Sequence, residues 1–293
     1  MPTEPNLTGI ANQVCLNGEL VEKHQARVSP FDRGYLFADG VYEGVGFATG
    51  RMLDNPGHFA RLNDSLKALG IANPWSDQQI AAMQQALLKA NECDEGFCYY
   101  QITRGEANRD FAFPEQTHAR LLMFLQPRPL LETREAEQGV QVGCVPEQRW
   151  KARSIKSIAL LPQVLAKQQA RDAGWFEGWM VENGEVNEGS STSAFIINQA
   201  GEVQTAPLSE RILPGVTRRA VLELAGEQGF AIREAHFTPE QAHQAREAFL
   251  TSASQLVTPI VGVDNQPIAN GKPGEITGLL RRLYIERYLS GKS

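Results

Sequence analysis

The chain has 293 residues, 42% of them hydrophobic, and a formal net charge of −6 with no run of Lys or Arg. That length can build ample core as one large domain or two moderate ones. The acidic balance argues against a nucleic-acid or anionic-membrane surface.

No apolar run approaches the length needed to span a bilayer. The start, Met1-Pro2-Thr3-Glu4-Pro5-Asn6, has no basic stretch leading into an apolar one, so no signal peptide is expected. Cys15, Cys93, Cys98 and Cys144 form no CxxC pair and no dense framework, which fits free thiols in a reducing compartment. The five histidines are scattered, with neither HExxH nor metal-ligand spacing to cysteine. The expectation is a cytoplasmic protein without a metal site, a nucleic-acid partner or a membrane.

In chain order, residues 40–50 read as a strand thinned by glycines, where something approaches the backbone closely. Residues 58–69 carry Phe59, Leu62, Leu66 and Leu69 as a helical stripe stopped by Gly70. Ser76-Asp77-Gln78-Gln79 resembles a capping box opening a helix with Ile80, Met83 and Leu87 on one face. Residues 97–103 and 119–126 read as strands. Pro127 and Pro129 then stiffen the chain, which sets the expected organisation as a domain over 1–126, a linker over 127–130 and a second domain over 131–293.

Beyond the linker, 139–145 alternates as a strand, and 162–173 is a helix with proline early and Gly174 after its end. Strands are predicted over 178–182 and 194–198, and a helix over 217–228 with Gly229 as its stop. Thr238-Pro239-Glu240 opens a short helix, 248–251 and 257–261 look like strands, and 275–289 is a closing amphipathic helix. The pattern is a two-domain α+β or α/β protein with irregular alternation and no internal repeats.

Two residues in contrasting surroundings carry the chemistry. Lys156 interrupts an apolar-leaning alternation in Arg153-Ser154-Ile155-Lys156-Ser157-Ile158, so its amine is expected to point inward. A half-buried amine can attack a carbonyl and form a Schiff base, although a solvated lysine at a strand edge is the commoner arrangement. Glu188 follows 32 residues later, ahead of the small, hydroxyl-rich run Gly189-Ser190-Ser191-Thr192-Ser193 that allows tight packing against a flat ligand. A carboxylate bonded to a pyridine nitrogen keeps that nitrogen protonated, and the ring becomes an electron sink. That pairing is what pyridoxal 5'-phosphate (PLP) needs from a protein.

Leu213-Pro214-Gly215-Val216-Thr217-Arg218 leads into a predicted helix, whose free N–H groups, dipole and threonine hydroxyl suit phosphate; an ordinary threonine N-cap is the alternative. Thr251-Ser252-Ala253-Ser254 offers further N–H donors, and Arg61 a guanidinium. GxGxxG, P-loop and GxSxG patterns are absent.

Taken together and in order, these stretches resemble the class IV aminotransferases (fold type IV PLP enzymes), most of all the D-amino-acid aminotransferases, from about Val28 to the last helix. The matching segments run from Asp32 to Glu43, then His58 with Arg61, Thr103-Arg104-Gly105 with Arg109 and Phe113-Pro114, Ile155-Lys156-Ser157, Glu188-Gly189-Ser190-Ser191, and Leu213 to Arg218. The resemblance implies a small N-terminal α/β sandwich, a larger barrel-like C-terminal α/β domain, PLP in the cleft between them, and a homodimer with active sites at the subunit interface. It makes Lys156 the Schiff-base lysine and proton shuttle, and Glu188 the partner of the pyridine nitrogen. Ser191 joins the cofactor's surroundings, Arg61, Val216, Thr217, Ser252 and Ala253 surround the phosphate, and Tyr42 lines the substrate side.

In the D-amino-acid enzymes an Arg-x-His pair after Thr-Arg-Gly holds the substrate carboxylate. Here the segment is Arg109-Asp110-Phe111, so the arginine is kept and an apolar ring replaces a charge-assisted donor. Gly44 stands where the family tends to have a branched residue, which widens the expected pocket. The implied activity is ping-pong transfer of an amino group from a D-amino acid to a 2-oxo acid. An (R)-selective amine transaminase, a branched-chain L-amino-acid aminotransferase and an aminodeoxychorismate lyase share the fold as alternatives. A non-catalytic PLP-binding protein is a further one, against which the joint presence of Lys156 and Glu188 argues.

Overall fold

The computed structural model describes residues 7–289. The chain forms two units: one runs to Leu130 and also takes in Lys156–Ala159, and the other comprises Leu131–Ile155 and the chain from Leu160 onward.

The first unit contains β1 (Gln13–Leu16), β2 (Glu19–Glu22), α1 (Arg33–Phe37), β3 (Gly40–Ala48), β4 (Arg51–Met52), α2 (Asn55–Leu69), α3 (Asp77–Asn91), β5 (Glu95–Thr103) and β6 (Arg120–Pro127). The strands make one antiparallel sheet in the order β2-β1-β6-β5-β3-β4. Period-two alternation sorts its faces. Val41, Val45, Cys98, Tyr100, Ile102 and Met123 are buried, and α2 and α3 pack on the same sheet. The other face carries Tyr42, Tyr99 and Phe124, whose rings stack in sequence at 5.5 and 5.0 Å. The capping box at the start of α3 forms as the sequence predicts, with Ser76 and Gln79 each bonding the other's backbone N–H.

Two findings depart from the expected organisation. The 127–130 segment is anchored in this unit, since Pro127 ends β6 and the buried Leu130 donates its N–H to the Glu95 carboxylate at 2.5 Å. Lys156–Ala159, expected within a domain over 131–293, belongs to the first unit because it completes the open edge of β3. Tyr42 N–H donates to the Lys156 carbonyl at 2.9 Å, Ile158 N–H to the Gly40 carbonyl at 3.1 Å, and Ser157 pairs with Val41.

The second unit holds α4 (Arg134–Gln138), β7 (Val140–Pro146), α5 (Leu161–Asp172), β8 (Glu177–Glu182), β9 (Glu185–Gly189), β10 (Ser193–Ile197), β11 (Val203–Thr205), α6 (Val216–Glu227), β12 (Ile232–Glu234), α7 (Pro239–His243), β13 (Glu247–Ser252), β14 (Leu256–Val263), β15 (Gln266–Pro267) and α8 (Glu275–Leu289). Its sheet has nine strands in the order β12-β11-β10-β13-β14-β7-β8-β9, with β15 paired to β14. The β7–β8, β7–β14 and β11–β12 pairs are parallel and the others antiparallel.

The order dictates the curvature. In a flat sheet β9 and β10 would lie five strand spacings apart, about 24 Å. Only residues 190–192 join them, and such a link reaches at most about 14 Å. The sheet therefore curls into an incomplete barrel and brings the end of β9 to the start of β10. Trp179 and Phe237, edge-on at 5.5 Å, pack in one buried cluster with Ala194, Ile196, Ala248 and Leu250, while Phe195 and Phe249, paired across β10 and β13, stack at 4.6 Å on the opposite face of the sheet. Among the described residues no helix is long and apolar enough to cross a membrane, and no cluster of His, Cys, Asp or Glu suits a metal ion.

Candidate active site

In the first unit Lys156 and Tyr42 come together. Lys156 is half-buried, and its Nζ lies 4.3 Å from the centroid of the Tyr42 ring. The strand pairing at Tyr42 and an N–H bond from Lys156 to the Ser65 hydroxyl on α2, at 3.2 Å, fix the backbone from both sides. The amine is thereby held over the aromatic face of the sheet by two elements the sequence already encodes.

Arg61, on α2, meets a partner that the sequence reading did not anticipate. Its Nε and Nη2 donate to the two oxygens of Glu43 at 2.8 Å each, and His58 Nδ1 lies 2.7 Å from Glu43 Oε2. All three side chains are buried. Burial works to raise the Glu43 carboxyl, but the charge and hydrogen bonds of Arg61, then those of His58, hold it far below the usual carboxylate range. Burial works against the Arg61 charge, and Glu43 outweighs it, so the guanidinium is held above its ordinary value. The legible signal was a carboxylate at an inward-facing position of an otherwise apolar strand.

In the second unit Glu188 sits near the end of β9, buried, opposite Met180. Its Oε1 accepts from Arg149 Nη1 and from the Leu213 N–H at 3.0 Å. The Leu213 bond ties the turn entering α6 to this carboxylate. Gly215 is the N-cap of α6, so Thr217 is not the cap, and no side chain bonds the first-turn N–H groups from the cap position. The Thr217 hydroxyl is buried and has no partner. A Cβ on Gly215 would approach Ser193 Oγ to 2.8 Å, and Ser193 pairs with Thr251. The helix start, the β10 start and the end of β13 with Ser252 and Ala253 are thus neighbours. Uncapped N–H groups beside an orphaned hydroxyl fit a phosphate group.

The hydroxyls after Glu188 have a different partner from the one expected. Ser190, Ser191 and Thr192 all donate to Glu177, which is completely buried; the Ser191 bond is 2.9 Å. Glu177 therefore shapes this turn, and a Cβ on Gly189 would fall 2.2 Å from Thr192 Oγ1.

Arg109 and Phe111 lie on an exposed loop of the first unit. Arg109 Cζ is 5.3 Å from the Phe37 ring and 5.6 Å from the Phe111 ring, and those two rings are 5.6 Å apart. The expected widening at Gly44 does not occur in this unit, because the Phe97 ring occupies the space: a Cβ there would lie 2.1 Å from Phe97 Cζ.

Comparison with known proteins follows the same lines. The amino-transferase class IV family matches residues 40–263. A D-alanine aminotransferase of Bacillus licheniformis is 33% identical over 265 residues, covering 90% of this chain and 93% of that protein. A D-alanine aminotransferase of Staphylococcus aureus (strain MSSA476) is 32% identical over 284 residues, covering 96% and 99%. The Escherichia coli branched-chain amino acid aminotransferase structure matches with a TM-score of 0.87 at 23% identity, over 95% of each chain. That of Thermobaculum terrenum, solved in its PLP-form, matches at 0.82 with 22% identity, over 96% of this chain and 95% of that one. At such identities the structural likeness concerns the fold alone.

Proposed function

Because the chain belongs to the class IV aminotransferases, we propose that it moves an amino group from a D-amino acid to a 2-oxo acid, with PLP held by Lys156. The observation that carries the D-amino-acid reading is the similarity, over nine-tenths of the chain, to proteins named D-alanine aminotransferase. When bound, PLP supplies an electron sink for charge developing at the substrate α-carbon.

The protein's residues fit that group. The orphaned Thr217 hydroxyl and the uncapped start of α6, with Val216, Ser252, Ala253 and Arg61, would hold the phosphate. Glu188 would accept from the ring N–H, with Ser191 in the turn beside it. The Lys156 amine would take up the proton released at the substrate α-carbon, a general acid–base role that needs its fixed approach over Tyr42. Tyr42 would line the substrate side, and Arg109 would orient the substrate carboxylate so that the reacting C–H bond faces the lysine.

Phe111 supports a second reading, an (R)-selective amine transaminase, because an apolar ring stands where the D-amino-acid enzymes have a histidine. We also propose a cytoplasmic homodimer, supported by four free cysteines and by the exposed apolar side chains of Phe31, Tyr35, Phe111 and Phe113. Sedimentation equilibrium tests the dimer, and a monomer contradicts it. The catalytic test is a panel of D-alanine, L-leucine, (R)-1-phenylethylamine and aminodeoxychorismate, the first three with 2-oxoglutarate. D-Alanine is expected to be turned over. Activity confined to the L-amino acid or the amine, or release of pyruvate from aminodeoxychorismate alone, contradicts the reading.

A further inference from the structure

We propose that Arg149 is a positioning residue for Glu188, fixing the orientation and the charge of the carboxylate that meets the cofactor's ring nitrogen. The inference rests on the function proposed above and adds a residue that neither the motifs nor the relatives' names single out.

Its basis is the way the guanidinium is immobilised. Arg149 Nη1 donates to Glu188 Oε1, while Nε and Nη2 donate to the two oxygens of Glu147 at 2.9 and 2.6 Å. A guanidinium gripped along one edge by a carboxylate cannot swing away, so its remaining edge is aimed at Glu188. Glu147 is itself held. Asn187 Nδ2 donates to its Oε2 at 3.2 Å, and Arg153 Nη1 lies 3.6 Å from the same oxygen. Arg153 in turn forks onto Glu182 at 2.9 and 3.0 Å. Charges of alternating sign thus run from Glu188 through Arg149, Glu147 and Arg153 to Glu182 at the rim.

Stability alone explains this row poorly. The side chains of Arg149, Glu147 and Glu188 are 5%, 1% and 6% exposed, and buried ion pairs often stabilise no better than apolar residues of the same volume. Burial acts to lower the Arg149 guanidinium, and the hydrogen bonds and charge of Glu147 together with the charge of Glu188 more than reverse that, so Arg149 stays a cation. A carboxylate beside a fixed cation, with a second N–H donor from Leu213 on the same oxygen, is a poor proton acceptor. A proton shared between Glu188 and a pyridine nitrogen then stays on the nitrogen, the state in which the ring withdraws electrons most strongly. Without Arg149 the carboxylate becomes the better base and loses one of the donors that orient it.

The test uses the full-length PLP-loaded protein with Arg149→Met, Arg149→Lys and Glu147→Gln. It reads PLP affinity, the pH titration of the bound cofactor's visible band, and the single-turnover rate with D-alanine. Arg149→Met is expected to slow the single turnover by about tenfold or more at saturating PLP and to shift the band's titration. Arg149→Lys, which keeps the charge without the fork, recovers part of both, and Glu147→Gln gives a smaller shift in the same direction. An unchanged titration in Arg149→Met, or a rate loss that vanishes at saturating PLP, overturns the proposal. If Arg149→Met does not fold, wild-type titrations in the other two variants overturn it. A parent protein that binds no PLP removes the proposed function itself, whereas a coloured, active parent beside an unaltered Arg149→Met removes only this inference.

Discussion

His58 is a buried imidazole whose Nδ1 reaches the Glu43 carboxylate, and its position makes the stability of the first unit depend on pH. Burial lowers its pKa from 6.5, and the attraction of Glu43 only partly offsets that. The unfolded chain therefore takes up a proton near pH 6.5 that the folded chain refuses, so folding binds fewer protons below that value. The contribution is complete above the unfolded pKa and is lost as pH falls toward the folded one. Glu43, also held down, adds a second loss that begins below its ordinary value of 4.5. The urea midpoint is expected to fall between about pH 7 and about pH 5, and His58→Gln is expected to flatten that part of the curve. An equally steep fall in the variant contradicts the assignment. Lys156, Glu188 and Arg61 were singled out as candidates from spacing and resemblance. Glu43 stood out only as a carboxylate at an inward-facing position of β3, without its partners, and Arg149, Glu147 and Glu177 did not stand out at all, because a carboxylate or guanidinium in a single sequence does not reveal which charge lies opposite it after folding.

At the scale of elements, periodicity found what local physics decides. The helical stripe of α2 and the capping box of α3 were readable because their partners lie within four residues. So was α8, whose bounds coincide with the prediction. The short strands β1, β2, β11 and β12 were missed, since three or four residues carry no period and their pairing is decided by neighbours elsewhere in the chain. The same holds for β9. Its sequence, a carboxylate followed by small hydroxyl residues, carries no strand alternation, but pairing with β8 makes it a strand. The neighbourhood of Gly44 is another case in which a sheet contact decides the outcome. The Phe97 ring lies on Gly44, so Gly44→Val is expected to cost about 1–3 kcal/mol through overpacking, and adding Phe97→Ala is expected to recover part of it. Urea denaturation of the two single variants and the double variant measures the coupling. A neutral Gly44→Val would show that the ring moves aside freely.

For the whole molecule, the two-unit mixed architecture was legible in outline, whereas the 127–130 segment, expected as a linker, lies within the first unit. The return of Lys156–Ala159 to the first unit was not, because an edge strand is added by hydrogen bonds to β3, a segment more than 100 residues earlier. That return links the fold to the proposed chemistry, since it sets the Lys156 amine over Tyr42. The most direct measurement is borohydride reduction of the PLP-loaded protein followed by peptide mass mapping. The account predicts a stable pyridoxyl-phosphate adduct on the peptide carrying Lys156 and on no other lysine. A protein that stays colourless with PLP, or an adduct confined to a different lysine, would contradict it.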